Sequence, residues 1–134
     1  ALCGAYYDCV VCDGDMDAFL SHLKTFYDKF PYTLVNNNER HYQAVMYTIF
    51  AMLGADITPE QPTSDGRIDM VLKTDDCLYI FELKYGKDAE TAIAQIENKK
   101  YAAAFADDKR EKVLVGINFS EDSRTIDDWS VIGM

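Results

Sequence analysis

The sequence predicts an α/β (α+β) fold in which a mixed central β-sheet is flanked by helices. Three observations lead to this class. Residues 66–84, GRIDMVLKTDDCLYIFELK, read as two apolar strands joined by a polar turn. The run KVLVGINFS at 112–120 is almost wholly apolar, which is typical of a strand covered on both faces. Helical patterns lie on either side of the hairpin, and 134 residues that are 49% hydrophobic suffice for one domain with a real core.

The N-terminal part is predicted to contain two helices. The stretch DGDMDAFLSHLKTFYDKFPY opens with acidic capping residues, and its apolar and aromatic residues follow at helical spacing as far as Pro31. A loop at NNN, residues 36–38, leads into ERHYQAVMYTIFAMLG, whose apolar residues recur three and four apart up to Gly54. Residues 1–12 are expected to be a short strand or a remnant of an upstream structure, and residues 55–62 a short strand and loop.

The C-terminal part is predicted to complete the sheet. The hairpin strands should span about 66–73 and 78–85, and DAETAIAQIENKKYAAAFADD, residues 88–108, should form one long helix. The buried strand at 112–120 follows, and a short strand around 129–132 should be added to the sheet. The predicted order is therefore helix, helix, three strands, helix, two strands.

The composition limits the possible partners. The net charge is −10, so the field of the chain repels nucleic acid unless metal ions, a local basic rim or a partner domain compensate. No apolar run approaches the ~20 residues of a membrane helix, and the N-terminus lacks a secretory signal pattern. We expect a cytoplasmic chain that makes no contact with a membrane.

Four cysteines leave two interpretations open. Cys3, Cys9 and Cys12 cluster, with Cys77 far away, and this set contains only one CxxC. Zinc binding is the weaker interpretation of that spacing, and reduced, partly buried thiols are the favoured one.

The hairpin places ionisable residues among apolar ones. If Lys73 lies opposite Leu78, antiparallel pairing sets Asp69 opposite Glu82 and Arg67 opposite Lys84. The other face should then be purely apolar, formed by Ile68, Met70, Leu72, Tyr79, Phe81 and Leu83. Opposed carboxylates repel, and a hard cation such as Mg²⁺ between them relieves the repulsion. A structural network in which Arg67 and Lys84 neutralise both acids is the alternative.

The spacing of these residues is similar to that of a known motif. The spacing D-x12-E-x-K across a hairpin, with Glu39 in an upstream helix and Gln95 in a downstream helix, resembles the PD-(D/E)xK nuclease superfamily. The run from NERHYQAVMYTIFAMLG through GRIDMVLK, YIFELK and AIAQIENKKYAAAF to GINFS is similar to the branch found at the C-terminus of bacterial AAA-ATPase-like proteins. Ile68 stands where the motif's name has proline, a position at which the superfamily often departs from its name.

The resemblance implies a restriction-endonuclease-like core at residues 36–134, with residues 1–35 as an N-terminal segment and amphipathic helix packed on it. It implies a Mg²⁺ or Mn²⁺ ion held by Asp69, Glu82 and Glu39. Lys84 would be the catalytic lysine, and Gln95 would complete the pocket. Substrate contacts would come from three further residues: Arg67, which is otherwise expected to pair with an acid, Lys99 and Tyr101.

The function expected from this set is metal-dependent phosphodiester hydrolysis of nucleic acid, with DNA as the first candidate and an upstream ATPase domain as a possible partner. Two alternatives stay open: a catalytically silent module of the same fold, and a structural domain whose aromatic first helix docks on another protein. His22 and His41 form no triad pattern, and any ATPase activity would need another domain because the chain has no Gly-rich phosphate loop. The oligomeric state is not evident from the sequence.

Overall fold

The computed structural model describes residues 2–29, 39–122 and 125–134. In these residues the helices and strands follow in this order: α1 Leu2–Ala5, a π-helix Tyr6–Cys12, α2 Met16–Asp28, α3 Glu39–Met52, β1 Asp56–Thr63, β2 Gly66–Lys73, β3 Cys77–Tyr85, α4 Ala89–Asn98, a 3₁₀ helix Tyr101–Phe105, β4 Glu111–Phe119 and β5 Ile126–Gly133.

The strands form one mixed sheet in the order β1-β2-β3-β4-β5. Strands β3 and β4 are parallel and are joined through α4, whereas the other neighbours are antiparallel. Strand β4 lies between β3 and β5 and is buried from Val113 to Phe119, as its apolar run predicts. The predicted α+β class and mixed sheet are confirmed.

Helices cover both faces of this sheet. One face packs on the N-terminal helical segment, α2 and α3 around a large aromatic core, and the other packs on α4 and the 3₁₀ helix. On the first face, Phe50 packs on Phe81 of β3, and Tyr42 stacks on Phe119 of β4 with ring centroids 4.2 Å apart. None of the described helices is both long and apolar enough to span a bilayer.

The prediction of a strand in residues 1–12 is wrong, because Leu2–Ala5 and Tyr6–Cys12 are helical. Tyr6 and Val10, four residues apart, are buried together on one side of the π-helix. The Tyr6 ring packs at 5.6 Å from Phe19 and 6.1 Å from Phe50. The aromatic and β-branched composition favours a strand locally, and burial against two helices overrides that preference.

Helix α2 begins where the acidic capping residues predict. Asp15 caps it by accepting a hydrogen bond from the Ala18 N–H at 3.0 Å. Its stripe, including Phe19 and Tyr27, faces the core of the same domain, and the Trp129 indole of β5 donates to Asp17 at 3.2 Å. The predicted stop at Pro31, the NNN loop and the boundary between residues 35 and 36 lie outside the described residues, so the domain division stays a prediction.

The prediction of one long helix over 88–108 is also wrong. Helix α4 ends at Asn98, and Lys100 adopts a left-handed conformation with φ of 52°. This turn lets Tyr101 return to the sheet, where it is 2% exposed and packs with Ile68 and Ile80. The Ala-rich composition favours a continuous helix, but burying Tyr101 against the sheet stabilises the break.

The start of α4 is fixed to the sheet. The Ala89 N–H donates to Asp128 of β5 at 2.9 Å, and the Lys87 N–H donates to Asn118 of β4 at 2.9 Å. Gly116 of β4 leaves room for the helix, since a Cβ there would lie 2.7 Å from the Ala89 carbonyl oxygen. The helix is therefore held in one position over β3 and β4.

All four cysteines are free thiols. Cys9 and Cys77 are partly buried, as expected, whereas Cys3 and Cys12 are exposed because they lie on the outer side of the N-terminal helical segment.

Candidate metal and catalytic site

The hairpin has the predicted register at its turn. Lys73 pairs with Leu78 and Val71 with Ile80, and the ladder ends at the pair Met70–Phe81. Beyond it, the Asp69 side chain takes the place of a backbone partner: its Oδ2 accepts a hydrogen bond from the Leu83 N–H at 2.7 Å. Asp69 is thus held against β3 by its own carboxylate.

The strand is irregular at Asp69. Glu60 and Asp69 do not pair, although their neighbours in β1 and β2 do, and Glu60 has φ of 51°. Ile68 consequently joins the cluster on the α4 face, together with Val71, while Met70 faces the opposite core. The prediction that Ile68 shares the face of Met70 is wrong, because strict alternation does not survive this irregularity.

The predicted pairing of Arg67 with Lys84 is also absent from the β2–β3 ladder. Arg67 pairs instead with Pro62 of β1, and its guanidinium lies 3.9 Å from Glu60 Oε2. This contact agrees with the expectation that Arg67 pairs with an acid.

Glu82 lies on the α4 face of β3, directly beside Asp69. Its residue is 3% exposed, and Oε2 lies 3.6 Å from Lys84 Nζ. Its other oxygen, Oε1, is buried without a hydrogen-bond donor among the described residues. Lys84 Nζ also donates to Gln95 Oε1 of α4 at 2.5 Å. Both side chains of the E-x-K motif therefore converge on the space under α4.

Burial controls the protonation of the two acids. Burial and then the neighbouring Asp69 charge raise the pKa of Glu82 to about 8, against the opposing effect of Lys84. Burial also raises the pKa of Asp69, opposed by the hydrogen bond from Leu83. The two carboxyl groups lie side by side, so a proton on Glu82 relieves their repulsion when no cation is bound.

Glu39 and Gln43 approach this pair from the start of α3. Glu39 is exposed, and its negative charge raises the pKa of both Asp69 and Glu82. Gln43, one turn later, donates from Nε2 to the Asp69 carbonyl oxygen at 3.0 Å. Sequence reasoning missed Gln43, although its place four residues after Glu39 on one helix face is a usable signal.

Gln95 and Tyr101 form the wall of the site opposite the carboxylates. Gln95 accepts from Lys84, and its side chain hydrogen bonds the Tyr101 hydroxyl. Burial is the main cause that raises the pKa of Tyr101, while the bond to Gln95 acts in the other direction. Lys99, at the C-terminus of α4, is exposed, and its backbone N–H donates to the Gln95 carbonyl.

The structure therefore brings together five of the predicted residues, and these are Asp69, Glu82, Lys84, Gln95 and Tyr101. Glu39 influences them through its charge. Exposed Arg67 and Lys99 have no described contact with the carboxylate pair. In the described part of the chain, no three His, Cys, Asp or Glu side chains lie close enough to share a metal ion.

The donors nevertheless fit a hard divalent cation. Mg²⁺ is usually held by one or two carboxylates together with waters and substrate phosphate oxygens, so two adjacent carboxylates suffice. The buried Glu82 Oε1, which has no donor within the described part of the chain, offers a lone pair that a cation would use. Asp69 and Glu82 are the residues that would hold it.

The sheet covered by helices on both faces, with two carboxylates and a lysine on its central hairpin, defines a restriction-endonuclease-like, nuclease-type fold. The family model described as the PD-(D/E)XK nuclease superfamily matches residues 37–129. The chain belongs to this superfamily.

The name of one similar protein states no activity. The protein "Uncharacterized protein in vnfD 5'region" of Azotobacter chroococcum mcd 1 is 32% identical over an alignment of 130 residues that covers 92% of this chain and 25% of that protein. The chain therefore spans about a quarter of that relative's length. No solved structure matches the chain.

Proposed function

We propose that this domain hydrolyses phosphodiester bonds in nucleic acid with the help of a divalent metal ion, with DNA as the first candidate substrate. The observation that carries the proposal is the buried Glu82 carboxylate. Its Oε1 has no donor among the described residues, and it lies beside Asp69 while Lys84 approaches from the same side. Such an arrangement costs free energy in a purely structural role.

Asp69 and Glu82 are proposed as the ligands of Mg²⁺ or Mn²⁺, and Glu39 as a third acid that acts through water. The bound cation would neutralise phosphate charge and lower the pKa of the attacking water. The Leu83 N–H and the Gln43 bond to the Asp69 carbonyl keep the Asp69 carboxylate oriented toward the pocket.

Lys84 is proposed to orient the attacking water and to stabilise the negative charge that develops on the phosphate. Gln95 fixes the ammonium group through its 2.5 Å hydrogen bond, and Tyr101 in turn holds the Gln95 amide. Arg67 and Lys99 are proposed to contact phosphates on either side of the scissile bond, because both are exposed cations on elements that bear site residues.

A second candidate is a silent nuclease-fold module that binds nucleic acid or regulates an ATPase. The observation that favours it is the Lys84–Glu82 distance of 3.6 Å, since an ammonium at this distance partly satisfies the carboxylate without a metal. The net charge of −10 also weakens contact with a polyanion. A further domain is compatible with a relative four times as long as the match.

An assay of plasmid and oligonucleotide DNA cleavage in Mg²⁺ or Mn²⁺ distinguishes the hydrolytic function from the silent module. The wild type should cleave in either ion and not in EDTA, and Lys84→Met should reduce the rate by about 100-fold or more. Lys109→Met is the matched control, because Lys109 is exposed in the loop before β4. Cleavage that is equally strong in Lys84→Met would contradict the proposal, and metal binding without cleavage would favour the silent module.

A further inference from the structure

A groove lies between α3 and β1, and Gln43 connects it to the strand that carries Asp69. Its helix wall carries Arg40, Gln43, Ala44 and Tyr47, spaced three and four apart on one face of α3, and its strand wall carries Pro59 and Glu60. The groove and the site share Gln43, which donates to the Asp69 carbonyl. A ligand extending from the site along this wall would therefore enter the groove.

The residues of the groove suit a nucleotide. Arg40 is exposed, and the Tyr47 ring is only partly buried. Grooves that bind single strands combine a cation for the phosphate with an aromatic ring on which a base stacks. The volume is about 310 Å³, at the lower end of small-molecule sites, which suits one nucleoside-sized group rather than a stacked base pair.

A second cation lies at the strand wall. Arg67 contacts Glu60 at 3.9 Å, and their side chains are 72% and 54% exposed. Such an exposed pair contributes little to stability, so the guanidinium can move to a phosphate at small cost. Arg67 thus brings a second cation to the Glu60 side of the groove, on a chain whose overall charge is negative.

The backbone at Glu60 gives an independent indication. Its φ of 51° is uncommon for a residue other than glycine, and it faces the irregular position of Asp69. Residues with a left-handed backbone conformation of this kind cluster at ligand sites. Here it interrupts β1 at the point where the groove meets the metal-ligand strand.

The geometry points to a subsite that binds one unpaired nucleotide next to the scissile phosphate, with Arg40 on its phosphate and Tyr47 on its base. This inference rests on the proposed function for the position of the scissile phosphate. It specifies the substrate class: nucleic acid with single-stranded character at the cleavage site, such as a single strand or a frayed end.

Fluorescence anisotropy with a labelled oligonucleotide tests the subsite. Binding is compared for the single strand and the blunt duplex of the same sequence, in Ca²⁺, which also takes carboxylate oxygens. The wild type should bind the single strand about fivefold or more tightly than the duplex, because only an unpaired base can stack on Tyr47. Equal affinity for both forms would overturn the inference.

Two pairs of variants locate the contact. Tyr47→Ala should weaken single-strand binding about fivefold or more, whereas Tyr47→Phe should retain it. Arg40→Gln should lower the slope of log affinity against log salt by about 0.7, the value for one phosphate of a single strand. Lys109→Gln removes the same charge at the other end of the sheet, and it should leave the slope unchanged.

Arg40 is exposed, so its variant tests the subsite even where the Tyr47→Ala protein fails to fold. Identical salt slopes for Arg40→Gln and Lys109→Gln would overturn the inference. Cleavage of the same oligonucleotides is followed separately in Mg²⁺. Cleavage with intact binding in Arg40→Gln and Tyr47→Ala would overturn the subsite alone, while variant-sensitive binding without cleavage would support the subsite and refute hydrolysis.

Discussion

Glu82 lies on β3 between two buried apolar residues, Phe81 and Leu83, and its carboxyl group has almost no access to water. Three neighbours act on it: Asp69 and Glu39 raise its pKa through their charges, and Lys84 lowers it. Because burial dominates, the metal-free protein holds this group protonated at neutral pH. The residue therefore links the stability of the fold to pH.

The free energy of unfolding of the metal-free protein should fall as the pH rises from about 4.5 to about 8 because of Glu82. The pKa in the folded state, about 8, lies above the ordinary value of 4.5, so the stabilising contribution of the protonated group is complete below 4.5 and lost above about 8. The loss is on the order of a few kcal/mol. Urea denaturation in EDTA at a series of pH values measures it.

Glu82→Gln provides the matched comparison, because the amide keeps the shape of the protonated acid and does not ionise. This variant should be the more stable protein at pH 8 and above, and the two curves should converge at low pH. Parallel curves over the whole range would show that Glu82 does not carry the pH dependence.

At the residue scale, the sequence predicted those site residues that are ionisable and lie within apolar strands. Asp69, Glu82 and Lys84 stand out because an ionisable group inside an apolar strand costs free energy unless it has a partner. Gln43 was missed because a neutral amide on a helix is unremarkable until its partner, here a backbone carbonyl, is known. The irregularity at Asp69 was missed because it depends on Glu60 of another strand, which periodicity within β2 does not report.

At the scale of elements, α4 determines where Gln95 meets Lys84. Its position depends on the missing side chain of Gly116, since the Ala92 and Ile93 side chains also come to within 3.0 Å of where a Cβ would lie. The hydrogen bonds from the Lys87 and Ala89 N–H groups to Asn118 and Asp128 fix its first turn. The helix is therefore positioned by β4 and β5 as well as by β3, and β4 and β5 contribute no residue to the candidate site.

Gly116→Val should destabilise the protein by about 1–3 kcal/mol and weaken the Lys84–Gln95 contact, because α4 must move away from β4. Chemical denaturation measures the first effect, and the chemical shift of the Gln95 side-chain amide in NMR spectra reports the second. Gly4→Ala is the control, since nothing lies within 4 Å of a Cβ there. A Gly116→Val protein as stable as wild type would show that α4 has other room to pack.

Local pattern predicted the elements well wherever it agreed with tertiary packing. The hairpin, α3 with Gly54 at its end, and β4 follow their sequence signals closely. The N-terminal segment and the C-terminal half of the predicted long helix do not. In both, a buried tyrosine, Tyr6 or Tyr101, decides the conformation through contacts with residues distant in the sequence. Propensities derived from local sequence take no account of such contacts.

At the scale of the whole molecule, an acidic chain benefits from binding a cation. The net charge of −10 attracts divalent ions in general, so specific binding has to be separated from the general attraction of an acidic surface. The carboxylate pair differs from other acids of the chain in its burial. Variants of one pocket acid and one surface acid can therefore distinguish specific metal binding from general attraction.

Saturating Mn²⁺ should raise the thermal midpoint of unfolding by about 10 °C at a concentration one hundred times the dissociation constant, since the folded state alone binds the ion. Asp69→Asn should abolish the shift, while Asp76→Asn, in the exposed hairpin turn, should retain it. Differential scanning fluorimetry in EDTA and in Mn²⁺ provides the measurement. A shift of the same size in both variants would assign the ion to the general surface.

The dependence of α4 on β4 and β5 has a consequence during synthesis. A ribosome that has translated as far as Tyr101 has already incorporated every side chain of the candidate pocket, from Glu39 onwards. The surface that seats α4, with Gly116, Asn118 and Asp128, is translated only afterwards. A nascent chain that stops at Phe105 would hold Lys84 and Gln95 without the part of the α4 support that β4 and β5 provide, so the pocket is fully supported only once the last two strands have emerged.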